Sequence, residues 1–93
     1  MTENYKITLT ITSIGGTCNS GCKVGNKYDI SSMKTGNLCG FFYNSLFPTL
    51  CTFGYGGDIW FLPDKNKMEV RCPDFYNDVR GTLERIPIEQ KQD

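Results

Sequence analysis

Apolar and polar residues alternate strictly near the start of the chain, between Tyr5 and Thr12. The apolar members of this series occupy every second position: Tyr5, Ile7, Leu9 and Ile11. Lysine and threonine fill the positions between them, and such alternation predicts a strand with one buried face. A second strand is predicted at 23–30, with Gly25-Asn26 as a bulge or tight bend inside it.

The aromatic-rich segment 41–53 predicts the only helix. Its apolar residues recur on one side at helical spacing: Leu46, Leu50 and Phe53. The polar residues form only a narrow stripe, so we expect most of the helix surface to be buried. Pro48 has no N–H to donate, so the helix either kinks there or begins near Phe47. Gly54 suits the C′ position, just beyond the helix end.

Two further strands, 68–72 and 79–84, alternate in the same way and flank the turn-rich segment 74–78, which predicts a hairpin. The order β-β-α-β-β has no crossover long enough for parallel pairing. The sequence therefore predicts an α+β fold, a small antiparallel four-stranded sheet with one packed helix. A chain of 93 residues is expected to form a single domain, 1–93, with 87–93 as a frayed polar tail.

Charge and hydropathy argue against two classes of partner, nucleic acids and membranes. Ten basic and ten acidic side chains cancel, without a run of one sign, so nucleic acid is not an expected partner. No segment approaches the roughly 18 to 20 apolar residues of a membrane span, and the first residues do not resemble a secretion signal. We therefore expect a cytoplasmic protein that does not bind a membrane. A protein partner and the oligomeric state stay open.

The five cysteines, in a chain without histidine, narrow the chemistry most. Histidine-dependent triads and histidine-containing zinc sites are excluded. Cys18 and Cys22 have the spacing of a zinc half-site, and Cys39 and Cys72 could complete a four-thiolate site for zinc or an iron–sulfur cluster. The four meet only if the loop after the first strand, the helix N-terminus and the end of the third strand lie at one edge of the sheet. Such a site would be largely structural. The sequence therefore favours a metal-binding protein over an enzyme.

Two other uses of the thiols stay open. Cys39 lies near the start of the helix, where the dipole favours a thiolate, and could carry thiol redox or sulfur-transfer chemistry with Cys22 or Cys72 as the resolving thiol. A disulfide between Cys18 and Cys22, or between Cys39 and Cys72, is the other alternative. Cys51 is expected to be a core residue.

A third function class, a non-catalytic protein-interaction module, rests on one glycine-rich loop with aromatic residues. The loop residues that would contact a partner are Tyr55, Gly56, Gly57 and Trp60. The alternative is that the aromatic residues fill a core that is short of aliphatic side chains.

Several motifs, in their order along the chain, resemble a family of short prokaryotic proteins known only as an uncharacterised repeat protein family. The motifs are Cys22-Lys23-Val24-Gly25-Asn26-Lys27-Tyr28, Cys39-Gly40-Phe41, Ser45-Leu46-Phe47-Pro48, Gly56-Gly57, Trp60, Cys72-Pro73-Asp74 and Leu83-Glu84-Arg85-Ile86. The resemblance implies one small domain, sometimes duplicated, from bacteria or archaea that often live without oxygen. It implies no activity. It places Cys22, Cys39 and Cys72 within family motifs and Cys51 outside them.

Overall fold

The computed structural model describes residues 5–17, 21–74 and 76–88. Within these residues, four strands and one helix follow the predicted order. Their bounds are β1 Tyr5–Ile14, β2 Lys27–Ile30, α1 Gly40–Gly54, β3 Lys67–Arg71 and β4 Val79–Pro87. All strand pairs are antiparallel, and the order across the sheet is β2-β1-β4-β3. The chain therefore has the predicted α+β fold, with the predicted β3–β4 pairing.

One face of the sheet carries the core, and α1 packs against it. Every second residue of the two central strands is buried on this face: Ile7, Leu9, Ile11, Val79, Gly81 and Leu83. The positions between them carry mainly threonine and charged side chains, which is the pattern of a sheet with one solvated face. The sequence alternates because α1 covers only one face of the sheet and the other face contacts solvent.

Two strand boundaries differ from the prediction. β1 continues to Ile14, because a register shift between Ile11 and Ser13 returns Ile14 to the side of its partner Val79. β2 begins only at Lys27, because the chain turns before it: the Asn26 N–H donates to the Lys23 carbonyl. At the other end of the chain Pro87 pairs with Tyr5 in β4, while residues 89–93 of the predicted tail lie outside the described residues.

The helix is one continuous element from Gly40 to Gly54, so the alternative that it begins near Phe47 is wrong. Pro48 and Asn44 are both exposed, so water can replace the backbone bond that proline cannot make. The predicted apolar side of the helix is buried as expected: Leu46, Leu50 and Phe53.

The expectation that most of the helix surface is buried is wrong. Phe41 is 60% exposed and Phe47 is 44% exposed. The physical reason is that the sheet is the one layer against which the helix packs, so it covers only one side. The described part of the chain supplies no second layer over the aromatic side.

The helix ends in a Schellman motif, and Gly56 rather than Gly54 occupies the C′ position. The Gly57 N–H donates to the Thr52 carbonyl at 2.9 Å, and the Gly56 N–H donates to the Phe53 carbonyl at 3.4 Å. Gly56 has a φ of 87°, in the left-handed region that glycine adopts without steric cost. Gly54 is still helical and buried.

Replacing Gly56 by alanine should lower the free energy of unfolding by about 1 to 2 kcal/mol, because Cβ is unfavourable at this φ. Gly40→Ala is the matched control, since a Cβ there meets nothing within 4 Å. That control should leave stability unchanged or raise it, because alanine is the better helix former. Urea unfolding of the two variants checks this, and equal effects would contradict the assignment of Gly56 to the C′ position.

Arg85 is the most heavily bonded side chain of the core, and it is only 2% exposed. It donates to the Gly57 carbonyl at 2.6 Å, to the Phe53 carbonyl at 3.4 Å and to the Asn66 side chain at 3.0 Å. An ion pair of 2.9 Å to Asp58 completes its bonds. Its guanidinium also lies over the rings of Tyr5 and Phe53, 4.4 Å and 4.9 Å from their centroids. Arg85 thus joins the helix end and the following loop to β4.

Candidate functional site

Three predicted site residues lie at one end of the sheet. This end, which we call the cysteine end, is formed by the last residues of β1 and β3 and the first residues of β4. Ile14 pairs with Val79 there, and the Cys72 N–H donates to the Val79 carbonyl at 2.9 Å. Cys72 therefore directly continues β3 at this end.

The loop after β1 is tied to the cysteine end by backbone bonds to the turn before β4. The Gly15 N–H donates to the Asp78 carbonyl at 3.2 Å, and the Gly16 N–H donates to the Asn77 carbonyl at 2.9 Å. Further along this loop, Cys22 is half-buried, packs against the core and lines a shallow surface depression together with Ile14.

Cys39 begins the helix as its N-cap residue. Its backbone is extended, and its Sγ accepts a hydrogen bond of 3.5 Å from the Phe42 N–H. The side chain is half-buried and packs against the core.

Cys72 is a buried thiol, with 8% of its surface exposed. Burial raises its pKa, and the charges of the neighbouring Cys39 and Asp74 raise it further. A hydrogen bond from the Asp74 backbone N–H acts in the opposite direction and stabilises the thiolate. Since Pro73 has no N–H, Asp74 supplies the first backbone donor after Cys72. The Cys-Pro-Asp sequence could have revealed this sulfur acceptor, and sequence reasoning missed it.

Cys22 differs from the other two because it is disulfide-bonded in this structure. Cys39, Cys51 and Cys72 are free thiols, so the alternative of a disulfide between Cys39 and Cys72 is wrong. Cys18 lies outside the described residues. Of the uses predicted for Cys22, the structure therefore contains the disulfide. In a disulfide the sulfur of Cys22 cannot act as a thiolate ligand.

Cys51 is apart from the cysteine end. It lies twelve residues after Cys39 in the same helix, a separation of about 18 Å at helical rise. It is half-buried rather than fully in the core. Cys39 and Cys72 are therefore neighbours, Cys22 lies beside Ile14 at the end of β1, and Cys51 lies away from Cys39. Across residues 5–17, 21–74 and 76–88, no three Cys, Asp or Glu side chains lie close enough together to hold a metal ion.

The loop predicted to bind a partner mostly serves the fold. Gly56 and Gly57 terminate the helix, and the Tyr55 hydroxyl lies 3.3 Å from the Ser32 hydroxyl. Trp60, in contrast, is 92% exposed and packs edge-on against the exposed ring of Phe61. Both rings lie outside the core, so the alternative that the aromatic residues of this loop fill the core is wrong for Trp60. The interaction role of the loop stays a prediction.

The fold defines the chain as a small α+β protein. Comparison with protein-family models, with curated proteins and with solved structures finds no match to this chain. The family resemblance of the motifs therefore stays a prediction. Among the residues that the structure describes, no helix is both long and apolar enough to cross a membrane.

The two thiols of the cysteine end should differ in reactivity. Under native conditions we expect iodoacetamide to modify Cys72 at least about tenfold more slowly than Cys39, because Cys72 is buried and its pKa is raised. Mass spectrometry of timed samples measures both rates in one experiment, and full modification in denaturant provides the reference. Equal rates at both sulfurs would contradict the described burial of Cys72.

Proposed function

We propose that the protein is a small metal-binding domain whose reduced cysteines, Cys18, Cys22, Cys39 and Cys72, hold zinc or an iron–sulfur cluster as a largely structural site. The observation that carries this proposal is that the two free thiols at the cysteine end each accept a backbone N–H at sulfur. Such bonds orient the sulfur atoms, as the outer shell of a metal site does.

The donor set fits the proposal chemically. Four thiolates form a closed tetrahedral zinc site, and the same number holds a cubane cluster. The proximity of Cys39 to Cys72 and the position of Cys22 beside Ile14 support this donor set, and Cys18 is added from the Cys18-x3-Cys22 spacing alone. Binding requires Cys22 to be reduced, which is the condition expected in a cytoplasm.

The metal would mainly stabilise the domain. A domain of this length buries only about 60 to 65% of its unfolded surface, so its core leaves little stability to spare. Structural zinc can contribute about 10 kcal/mol to the folding of small peptides. Cys39 and Cys72 would join the helix N-terminus to the end of β3, and Cys22 would tie in the loop after β1.

Metal and acid-labile sulfide content of protein purified without oxygen or chelator tests the proposal. We expect about one zinc per chain without sulfide, or iron with an equal amount of sulfide. Cys22→Ser should lose most of this metal, while Cys51→Ser keeps it, since Cys51 lies far from the cysteine end. Protein that binds neither zinc nor iron when fully reduced would exclude the proposal.

A second candidate function is thiol–disulfide exchange or sulfur transfer at Cys39. It is favoured by the disulfide at Cys22 together with a half-buried helix N-cap thiol. In this case Cys39 would be the attacking thiolate and Cys22 or Cys72 the resolving one. A metal-free reduced protein whose activity disappears in Cys39→Ser would favour this candidate over metal binding.

A further inference from the structure

β3 lies at the edge of the sheet, and its outer side is open. The strand order places β4 on one side of β3, and in the part of the chain that the structure describes no strand lies on the other side. The helix leaves this edge clear, because it packs mainly over β1, two strands away. An uncovered edge strand presents a row of backbone donors and acceptors to a further strand.

The hydrogen bonds between β3 and β4 show which backbone groups face outward. The Cys72 N–H donates to the Val79 carbonyl at 2.9 Å, directly after the last paired residue of β3, Arg71. Residues that bond to the neighbouring strand alternate along an antiparallel ladder with residues that do not. The N–H and carbonyl groups of Glu69 and Arg71 therefore point away from β4, toward the open edge.

The positions on either side of these two residues offer no further donor. The Lys67 N–H already donates to the Asp64 carbonyl at 3.1 Å, and Pro73 has no N–H. The outward backbone donors of this edge are therefore those of Glu69 and Arg71. A strand that pairs here has to match these two positions.

The side chains of the same two residues carry opposite charges, and both are exposed. In a two-fold symmetric antiparallel pairing centred on Val70, Glu69 of each copy lies opposite Arg71 of the other, and all their outward N–H groups meet carbonyls. Pairings centred on Glu69 or on Arg71 bring like charges face to face. A pairing centred on Met68 places Arg71 opposite Lys65, which is again a like pair. The charges therefore select the pairing centred on Val70.

Two further contacts suit a second copy at this edge. Asp78 holds the Arg71 guanidinium at 2.8 Å, which fixes its position and leaves other N–H donors for a second carboxylate. Val70 is half-buried at the centre of the pairing. There it would contact Val70 of the second copy, because directly opposed residues without mutual hydrogen bonds approach most closely.

We propose that the open edge of β3 is a homodimer interface, at which two copies join antiparallel, with Glu69 opposite Arg71, into one continuous sheet. Because β3 is only five residues long, the interface is small. We therefore expect a dimer in equilibrium with the monomer, whose share rises with protein concentration. This inference is independent of the proposed metal site.

Sedimentation velocity of the full chain over a series of concentrations tests the interface. Glu69→Arg and Arg71→Glu should each raise the dissociation constant of the dimer at least about tenfold, because each substitution turns both opposite-charge pairs into like-charge pairs. Mixed in equal amounts, the two variants should associate with each other, since every pair between them is again of opposite charge. Asp29→Arg on β2, the other edge of the sheet, is the matched control and should dimerise like the unchanged chain.

Two supporting measurements make these outcomes specific. Circular dichroism verifies that each variant is folded, and electrophoresis without reductant excludes a disulfide-linked dimer. An unchanged chain that stays monomeric at every concentration would overturn the proposal. So would a dimer that neither substitution weakens, or two folded variants that do not associate when mixed. A monomeric chain that binds a strand-forming peptide with Asp, Lys and Asp at alternate positions would assign the edge to a segment of another protein instead.

Discussion

Arg85→Met is expected to lower the free energy of unfolding by about 3 kcal/mol or more. Methionine fills much of the same volume but donates no hydrogen bond. The carbonyls of Gly57 and Phe53 and the side chain of Asn66 would each lose their bond to this buried donor. Unsatisfied polar groups in a buried setting are among the costliest defects in a small domain.

Arg80→Met on the same strand is the matched control. Arg80 is exposed and pairs with Asp78 at the surface, so its loss should cost far less than the loss of Arg85. Arg85→Lys keeps the charge but loses the planar fork and the stacking on Tyr5 and Phe53, and we expect a cost of about 2 kcal/mol. Urea unfolding with an unchanged m-value measures all three. Equal costs for Arg85→Met and Arg80→Met would refute the structural role of Arg85.

Zinc is expected to stabilise the reduced protein strongly. At a zinc concentration about 1,000 times the dissociation constant, the gain in the free energy of unfolding should be about 4 kcal/mol. Cys39→Ser should remove most of this gain, because it deletes the sulfur that would join the helix to the proposed zinc site. Urea unfolding of reduced protein with and without zinc gives the gain directly.

Cys51→Ser controls for the loss of a half-buried thiol from the same helix. It should retain the zinc-dependent gain, even if its stability without zinc falls slightly. A gain that disappears equally in Cys51→Ser and Cys39→Ser would mean that zinc does not bind at the cysteine end.

The strands were largely predictable, because each buries one face and so alternates in sequence. Leu9 and Leu83, which pair directly, are both fully buried as the alternation indicates. The helix was predictable in position but not in exposure. The sequence of the helix does not reveal how many structural layers pack against it. Because only the sheet does among the described residues, Phe41 and Phe47 lie at the surface.

Arg85 and the helix end show where local reasoning is insufficient. Arg85 follows the same alternation as Leu83, so its position predicts an inward-facing side chain. Its hydrogen-bond partners, however, lie up to 32 residues away in sequence, and only the packed fold brings them together. Likewise Gly54 and Gly56 are both plausible helix terminators, and backbone hydrogen bonding selects Gly56.

Only part of the cysteine end could be predicted from the sequence. The hairpin of β3 and β4 is local, so the position of Cys72 opposite Val79 follows from the sequence. The pairing of Ile14 with Val79 joins strands 65 residues apart and depends on the order β2-β1-β4-β3. Only that order brings the loop with Cys22 to the end of the sheet where Cys72 lies.

X-ray absorption at the zinc edge, on reduced zinc-loaded protein, tests the central claim most directly. The account predicts four sulfur ligands at about 2.3 Å around zinc. Three sulfur ligands in Cys22→Ser, with four retained in Cys51→Ser, would assign the site to the cysteine end. A shell made of oxygen ligands at about 2.0 to 2.2 Å would instead mean that surface carboxylates hold the ion, and would contradict a thiolate site.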